Sequence, residues 1–319
     1  MMDNQHNHDC AQSDQKTAIP QPLPLVEPNP KRLGLSPDVL LRASQPINDL
    51  AQRAPGRYSP QEAQLRCQLA ALYRLVDLFG WSEGIFNHLT AKTEDEGILL
   101  NPFGLSFHEV TASSLVKVDL DGRILDPGST VFTFYKPAFA VHSGVHRARP
   151  DVVCSIHLHL PEVMAYVSMN LDFPLVFQEN QMNGPVSWYE YRGTVSEVEE
   201  REYITKALGS NNVMLLKNHG FLTCGDTVAA AFMRAYNTVL TIRAQLHMTG
   251  VDRSQWLMPS QQAMDHTFDF FKKGFDVAGK HWSFGELNYE AWMRLLDQLG
   301  LQTGYDYKCP TIWRHEATD

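Results

Sequence analysis

Hydrophobic positions recur along the chain with two different periods, which predict both helices and strands. In the segment 59–80, leucine and valine recur at helical spacing. They follow a Ser-Pro-Gln-Glu start, which is typical of a capped helix that begins at Pro60 and ends at Gly80. Further helices are predicted over 137–149, from Pro161, after a cap at Asp226, over about 260–277 and over 285–299.

Short runs rich in Val, Ile and Leu lie between these helices and predict strands. They are "GIFNHLTAKT", "EGILLNP", "SSLVKVDLDGRIL" with a tight turn at Asp121–Gly122, "DVVCSIHLHL", "NVMLLKNHG" and "FLTCG". Strands and helices mix without a strict βαβ alternation. The pattern therefore predicts an α/β layered domain whose helices pack on a central, largely antiparallel sheet.

The first 55 residues have a different character, because they are rich in Pro, Asn, Gln and Asp. The stretch "IPQPLPLVEPNP" predicts an extended or disordered arm over 1–55, followed by one domain over 56–319. The arm contains "HNHDC", which could bind a metal only weakly because nothing there fixes the geometry of the ligands.

Charge and cysteine content narrow the function classes. The net charge of −9 and the pI of 5.8 disfavour nucleic acid and anionic membranes as partners. No apolar run reaches the roughly 20 residues of a membrane-spanning helix. The N-terminus lacks the basic and apolar regions of a secretory signal. The five scattered cysteines form no CxxC pair, so we expect a reduced, cytoplasmic protein.

Two histidines in the stretch "SIHLHLP" suggest a metal site. His157 and His159 are two apart in a predicted strand, so their side chains project to the same face. His219, in "KNHG" at the end of another predicted strand, offers a third imidazole, and the following glycine allows a sharp turn. Three imidazoles with one open position are typical of a catalytic divalent site. On spacing alone, the alternative that the strand carries these histidines without binding a metal is also open.

Two other segments carry weaker signals. His142 and His146 are four apart on a predicted helix, but the glutamate of a HExxH metalloprotease is missing, so a plain helix face is favoured. The turn at Asn101, Pro102 and Gly104 could present backbone N–H groups to an anion, and an ordinary turn is equally consistent with it.

Four segments together resemble the class II aldolase/adducin family, and within it the head domain of the adducin-like branch. They are "GIFNHLTAKT", "ILLNPFGLSFHEVTASSLVKVDLDG", "HSGVHRARPDVVCSIHLHLP" and "VMLLKNHGFLTCGDTVAAAF", and the resemblance covers about 60–300. It implies a three-layer α/β/α fold and a homo-oligomer, typically a tetramer. It also implies a divalent metal on His157, His159 and His219, with zinc expected and manganese or iron as alternatives.

The chain departs from the sugar-phosphate aldolases of that family at the acid/base position. The resemblance places Ala138 where those enzymes have a glutamate, and alanine can neither ligate a metal nor move a proton. Lys136 and Pro137 replace serines that help to hold the substrate phosphate, and Phe103–Gly104 replaces a Thr-Gly pair. The sugar-phosphate reaction is therefore not expected.

The resemblance also suggests other site residues. Glu179, in "VFQENQ", is the candidate general acid/base, and an exposed loop glutamate is the alternative. Asn87, Gly104 and Lys136 are the candidates for substrate binding, and Lys136 could supply a positive charge to a carboxylate or phosphate.

The leading hypothesis is a metal-dependent lyase, of aldolase or decarboxylase type, acting on a small hydroxy-carbonyl or hydroxy-acid substrate through a metal-stabilised enediolate. An iron-dependent oxygenase on the same three histidines is one alternative. A non-catalytic, cytoskeleton-binding scaffold of the adducin type is another. Since that role depends on a long basic tail and the sequence ends at "TIWRHEATD", an enzyme is expected.

Overall fold

The computed structural model describes residues 45–193 and 197–312, and a central eight-stranded sheet organises them. Its strand order is β4-β3-β2-β1-β5-β8-β7-β6, and every neighbouring pair is antiparallel except β6 and β7. The prediction of a largely antiparallel sheet is confirmed. The strands are β1 (His88–Lys92), β2 (Ile98–Leu100), β3 (Val116–Val118), β4 (Ile124–Asp126), β5 (Cys154–Leu158), β6 (Val186–Tyr189), β7 (Val213–Leu216) and β8 (Gly220–Gly225).

Nine α-helices accompany the sheet in the described ranges 45–193 and 197–312. They are α1 (Leu50–Arg53), α2 (Pro60–Leu78), α3 (Lys136–Ala148), α4 (Pro161–Val167), α5 (Gln178–Asn183), α6 (Glu197–Leu208), α7 (Val228–Met248), α8 (Gln261–Lys273) and α9 (Glu286–Gln298). A separate hairpin of β9 (Phe275–Val277) and β10 (Lys280–Trp282) precedes α9. Within these described ranges no helix combines the length and apolarity needed to cross a membrane.

The helices cover both faces of the sheet, because successive strand residues point to opposite sides. In β7, Met214 and Leu216 pack with residues of α3 and α6, whereas Leu215 belongs to the core formed with α2, α7 and α9. In β8, Leu222 packs on the side of α3 and α6, and Phe221 packs on the side of α2, α7 and α9. The domain is therefore the expected three-layer α/β/α sandwich.

The segment 45–55 differs from the predicted arm. Ile47 is fully buried, and its N–H donates to the carbonyl of Leu301. The Asp49 carboxylate accepts from the Ser113 N–H and from the Thr111 hydroxyl at 2.9 and 2.8 Å. Residues 45–55 therefore belong to the folded domain, while the rest of the predicted arm, 1–44, lies outside the described residues.

Helix ends follow local capping chemistry, with two corrections. The Ser59 hydroxyl accepts from the Glu62 N–H and starts α2, as predicted. The long helix α7 is capped by Thr227 instead of Asp226, since the Thr227 hydroxyl accepts from Ala230 N–H. The helix predicted to reach residue 277 ends at Lys273, where a glycine with positive φ breaks it, and β9 follows. The elements α5, α6 and β6 were not predicted.

Candidate metal centre

The central strands bring three histidines together. His157 lies in β5, between β1 and β8, and His159 follows just beyond the end of the same strand. His219 lies in the turn that joins β7 to β8. The ligand atoms of the three imidazoles all lie within 4.8 Å of one another. Within residues 45–193 and 197–312, this is the one group of three or more His, Cys, Asp or Glu side chains close enough to hold a metal ion.

Close backbone packing fixes the turn that carries His219. A Cβ added to Gly220 would lie 2.4 Å from the carbonyl oxygen of Leu158 and 3.0 Å from the ring of His159. Glycine is therefore needed after His219 for the approach of β8 to β5. The left-handed turn itself is made by Asn218, whose φ is 56°.

Hydrogen bonds to the backbone orient the ligands. His157 Nδ1 lies 2.9 Å from the Phe221 carbonyl oxygen and donates to it, which leaves Nε2 as the lone-pair nitrogen. The fully buried Asn87 amide donates to the Trp81 carbonyl and accepts from the His159 N–H, each at 2.9 Å. Asn87 thus fixes the strand end that carries His159.

Burial keeps the three imidazoles neutral and ready to act as ligands. Desolvation lowers the pKa of His159 to about 4, and it lowers the pKa values of His157 and His219 as well. Near pH 7 each ring therefore offers a lone pair instead of a second N–H. His159 Nε2 is buried without a hydrogen-bond partner, as expected of a nitrogen whose lone pair coordinates a divalent ion.

A second row of histidines lies behind the triad. The His88 ring lies 4.9 Å from the His157 ring, and His88 Nδ1 is 2.6 Å from His142 Nε2. His146 Nδ1 lies 3.3 Å from the Val152 carbonyl oxygen, and its Nε2 is 2.8 Å from the Thr90 hydroxyl. Burial lowers the pKa of His88 to about 3 and that of His146 to about 4. This row is neutral near pH 7 and packs the α3 side of the sheet.

A pocket opens beside this row, next to Ala138. Its wall includes His88, Ala138 and three aromatic rings, those of Phe86, Phe103 and Tyr135. None of the three ligand histidines lines the pocket, but His88 does, and its ring lies 4.9 Å from that of His157.

The other sequence-derived candidates lie in different surroundings. Gly104 has φ of 118°, and a Cβ there would approach the Phe132 ring to 3.0 Å. Lys136 is exposed at the start of α3 and is not among the residues that line the pocket. Glu179 lies half-buried in the first turn of α5, a helix that packs mainly on α7 and α8.

Sequence reasoning missed His88 and the aromatic wall. His88 and Thr90 alternate with apolar residues in β1, and they pair with His157 and Ser155 of β5. The alternation was visible in "FNHLTAK", but only the β1–β5 register shows that His88 stands beside the metal ligands.

The fold and the cluster define an α/β protein of the class II aldolase type, a fold that is generally divalent-metal dependent. The chain is similar to an aldolase II superfamily protein from Pseudomonas syringae, with 31% identity, a TM-score of 0.69 and coverage of 77% of this chain and 97% of that one. It also shares its fold with an L-fuculose 1-phosphate aldolase from Glaciozyma antarctica. That match has 24% identity and a TM-score of 0.66, and it covers 80% of this chain and 98% of that one.

Sequence comparison identifies the family. Residues 67–246 match the class II aldolase and adducin N-terminal domain, and the chain belongs to this family. It is 39% identical to mouse alpha-adducin over 84% of its own length, but it spans only 37% of that relative. An adducin-related protein of Schizosaccharomyces pombe is 35% identical over 76% of each chain. The predicted family and fold are thereby confirmed.

Proposed function

We propose that the protein is a divalent-metal-dependent lyase of aldolase or decarboxylase type, acting on a small hydroxy-carbonyl or hydroxy-acid substrate. The observation that carries the proposal is the cluster of neutral imidazoles of His157, His159 and His219, with ligand atoms within 4.8 Å of one another. We expect zinc, with manganese or iron as alternatives. When bound, the ion supplies a Lewis acid that favours the enediolate charge formed as a carbon–carbon bond breaks.

The chain's own residues have separable roles in this proposal. His157, His159 and His219 hold the ion, and the Phe221 carbonyl fixes the tautomer of His157. Asn87 positions His159 through its backbone. We assign substrate contacts to Asn87, Gly104 and Lys136 and the movement of a proton to Glu179, each as part of the proposal. The proposal leaves out the sugar-phosphate reaction that depends on a glutamate at the position of Ala138, because a methyl group cannot transfer a proton.

Metal analysis with a matched pair of variants tests the proposal. The purified full chain should contain about one divalent ion, and His219→Gln should lose it along with lyase turnover on hydroxy acids and aldol adducts. Free zinc at a hundred times its dissociation constant should raise the free energy of unfolding by about 2.7 kcal/mol. The control is His247→Gln, which changes an exposed histidine at the end of α7. A natively folded chain that binds no divalent ion would refute the proposal.

A cytoskeletal scaffold is the second candidate, and the 35–39% identity to adducins favours it. We expect a scaffold to co-sediment with actin filaments whether or not His219 is intact. An enzyme should lose its activity with that histidine. The iron-dependent oxygenase is separated from both by oxygen consumption in the iron-loaded protein.

A homotetramer and a cytoplasmic location complete the proposal. The tetramer is what the family resemblance implies, and the location is inferred from the scattered, unpaired cysteines. Sedimentation equilibrium of the full chain tests the oligomeric state directly.

A further inference from the structure

Aromatic rings form one wall of the pocket beside Ala138. The rings of Phe103 and Tyr135 are stacked with centroids 4.6 Å apart and an interplanar angle of 19°. The Phe86 ring lies 5.8 Å from that of Phe103 and extends the row. Phe86 is 59% exposed and Tyr135 is 42% exposed. A contiguous group of large exposed aromatic side chains at a pocket is typical of a binding surface.

The wall adjoins the metal centre. His88 lines the pocket, and its ring is 4.9 Å from that of His157. Asn87 lines the pocket too and is hydrogen-bonded to the His159 N–H. A molecule whose oxygens reach the three histidines would therefore extend its other end along the aromatic row.

The pocket lining lacks the basic side chains that bind phosphate groups. Among the described residues no lysine or arginine lines this pocket. A phosphate dianion placed against this lining would lose part of its hydration without meeting a lysine or arginine of the lining.

We propose that the substrate of the three-histidine site carries a flat aromatic group in place of a phosphate, and that this group packs on the exposed row of Phe86, Phe103 and Tyr135 at the mouth of the pocket. The inference depends on the proposed function, because it assigns the chemical class of that site's substrate. The faces of Phe86 and Tyr135 that are exposed in the free protein become covered when the ring binds.

Three hydroxamates that share a metal-chelating head test this assignment on the zinc-loaded full chain. Acetohydroxamate carries the head alone, phenylacetohydroxamate adds an aromatic ring and phosphoglycolohydroxamate adds a phosphate. Calorimetric titration should give a dissociation constant about tenfold lower for the aromatic probe than for acetohydroxamate, as one favourable aromatic contact provides. The phosphate probe should bind no more tightly than acetohydroxamate.

Variants locate the effect. Phe103→Ala and, separately, Tyr135→Ala should remove most of the advantage of the aromatic probe and leave acetohydroxamate binding unchanged. Tyr135 is exposed, so its replacement keeps the test valid even if Phe103→Ala does not fold. The matched control is Phe270→Ala, which changes a 52% exposed phenylalanine on α8 that does not line the pocket.

The outcomes separate the two levels of the proposal. Tighter binding of the phosphate probe, or an aromatic advantage that survives both variants, overturns the inference while the metal site stands. Variants that change the oligomeric mass and leave the aromatic preference intact would instead mark the row as an interface between copies. If acetohydroxamate itself does not bind the zinc-loaded chain, the proposed function fails, and the inference fails with it.

Discussion

Replacing His146 should weaken the dependence of the free energy of unfolding on pH below pH 7. The side chain is 2% exposed, and burial lowers its pKa from 6.5 to about 4. Because the folded pKa lies below the unfolded value, the unfolded chain binds more protons below pH 6.5. The free energy of unfolding should therefore fall as the pH falls from 6.5 towards 4. Between pH 7 and pH 5 this one group should cost the native state about 2 kcal/mol.

His146→Gln isolates that cost. Glutamine can still accept from the Thr90 hydroxyl and donate to the Val152 carbonyl, but it does not titrate. Urea unfolding of the metal-free chain at several pH values should show a loss between pH 7 and pH 5 that is about 2 kcal/mol smaller in the variant than in the parent. His247→Gln, at an exposed position, is the control. Equal losses in the parent and His146→Gln would refute the link between burial and acid sensitivity.

Three further substitutions test packing, capping and charge. Gly220→Ala places a methyl group 2.4 Å from the Leu158 carbonyl oxygen, so we expect a loss of about 2 kcal/mol and weaker zinc binding, measured by unfolding and calorimetry. Thr227→Ala removes the cap of α7 and should cost about 1 kcal/mol in urea unfolding. Arg66 is fully buried and bonded to Asp126 at 3.0 Å. We expect Arg66→Met to cost about 3 kcal/mol, since Asp126 and Glu62 lose a buried cation and the Leu115 carbonyl loses its donor.

Matched controls for these substitutions are available on the surface. Gly250→Ala meets no atom within 4 Å and should leave stability and zinc binding unchanged. Arg147→Met breaks an exposed ion pair with Asp121 and should cost less than about 1 kcal/mol. Losses of unfolding free energy at Gly220 or Arg66 no larger than those of the two controls would contradict the packing and charge arguments. Unchanged stability of Thr227→Ala would contradict the capping argument.

The metal ligands could be found from sequence because their arrangement is mostly local. His157 and His159 share a face by the two-residue period of a strand, and His219 precedes a glycine at a predicted turn. His88 was not found, because its place depends on the pairing of β1 with β5, which a single sequence does not reveal. The aromatic wall was missed for the same reason, since Phe86 and Tyr135 come from segments that are distant in sequence and meet only in the folded chain.

The fold was predictable where caps and periodicity agree, as in α2. It was not predictable where long-range contacts decide, as at Ile47. This residue is held by the Leu301 carbonyl although it follows a proline-rich stretch. The strand β6 was also missed, since its place depends on parallel pairing of Val186–Tyr189 with Val213–Leu216, which a single sequence does not show.

The pairing of β5 with β8 has a consequence for folding kinetics. His157 faces Leu222 across this ladder, 65 positions along the chain, so the ligands come together only after distant strands have found their register. We therefore expect zinc to slow unfolding more than it speeds folding, because the site should form late. The time course of zinc binding during refolding would then report when the strands at the centre of the sheet reach their correct pairing.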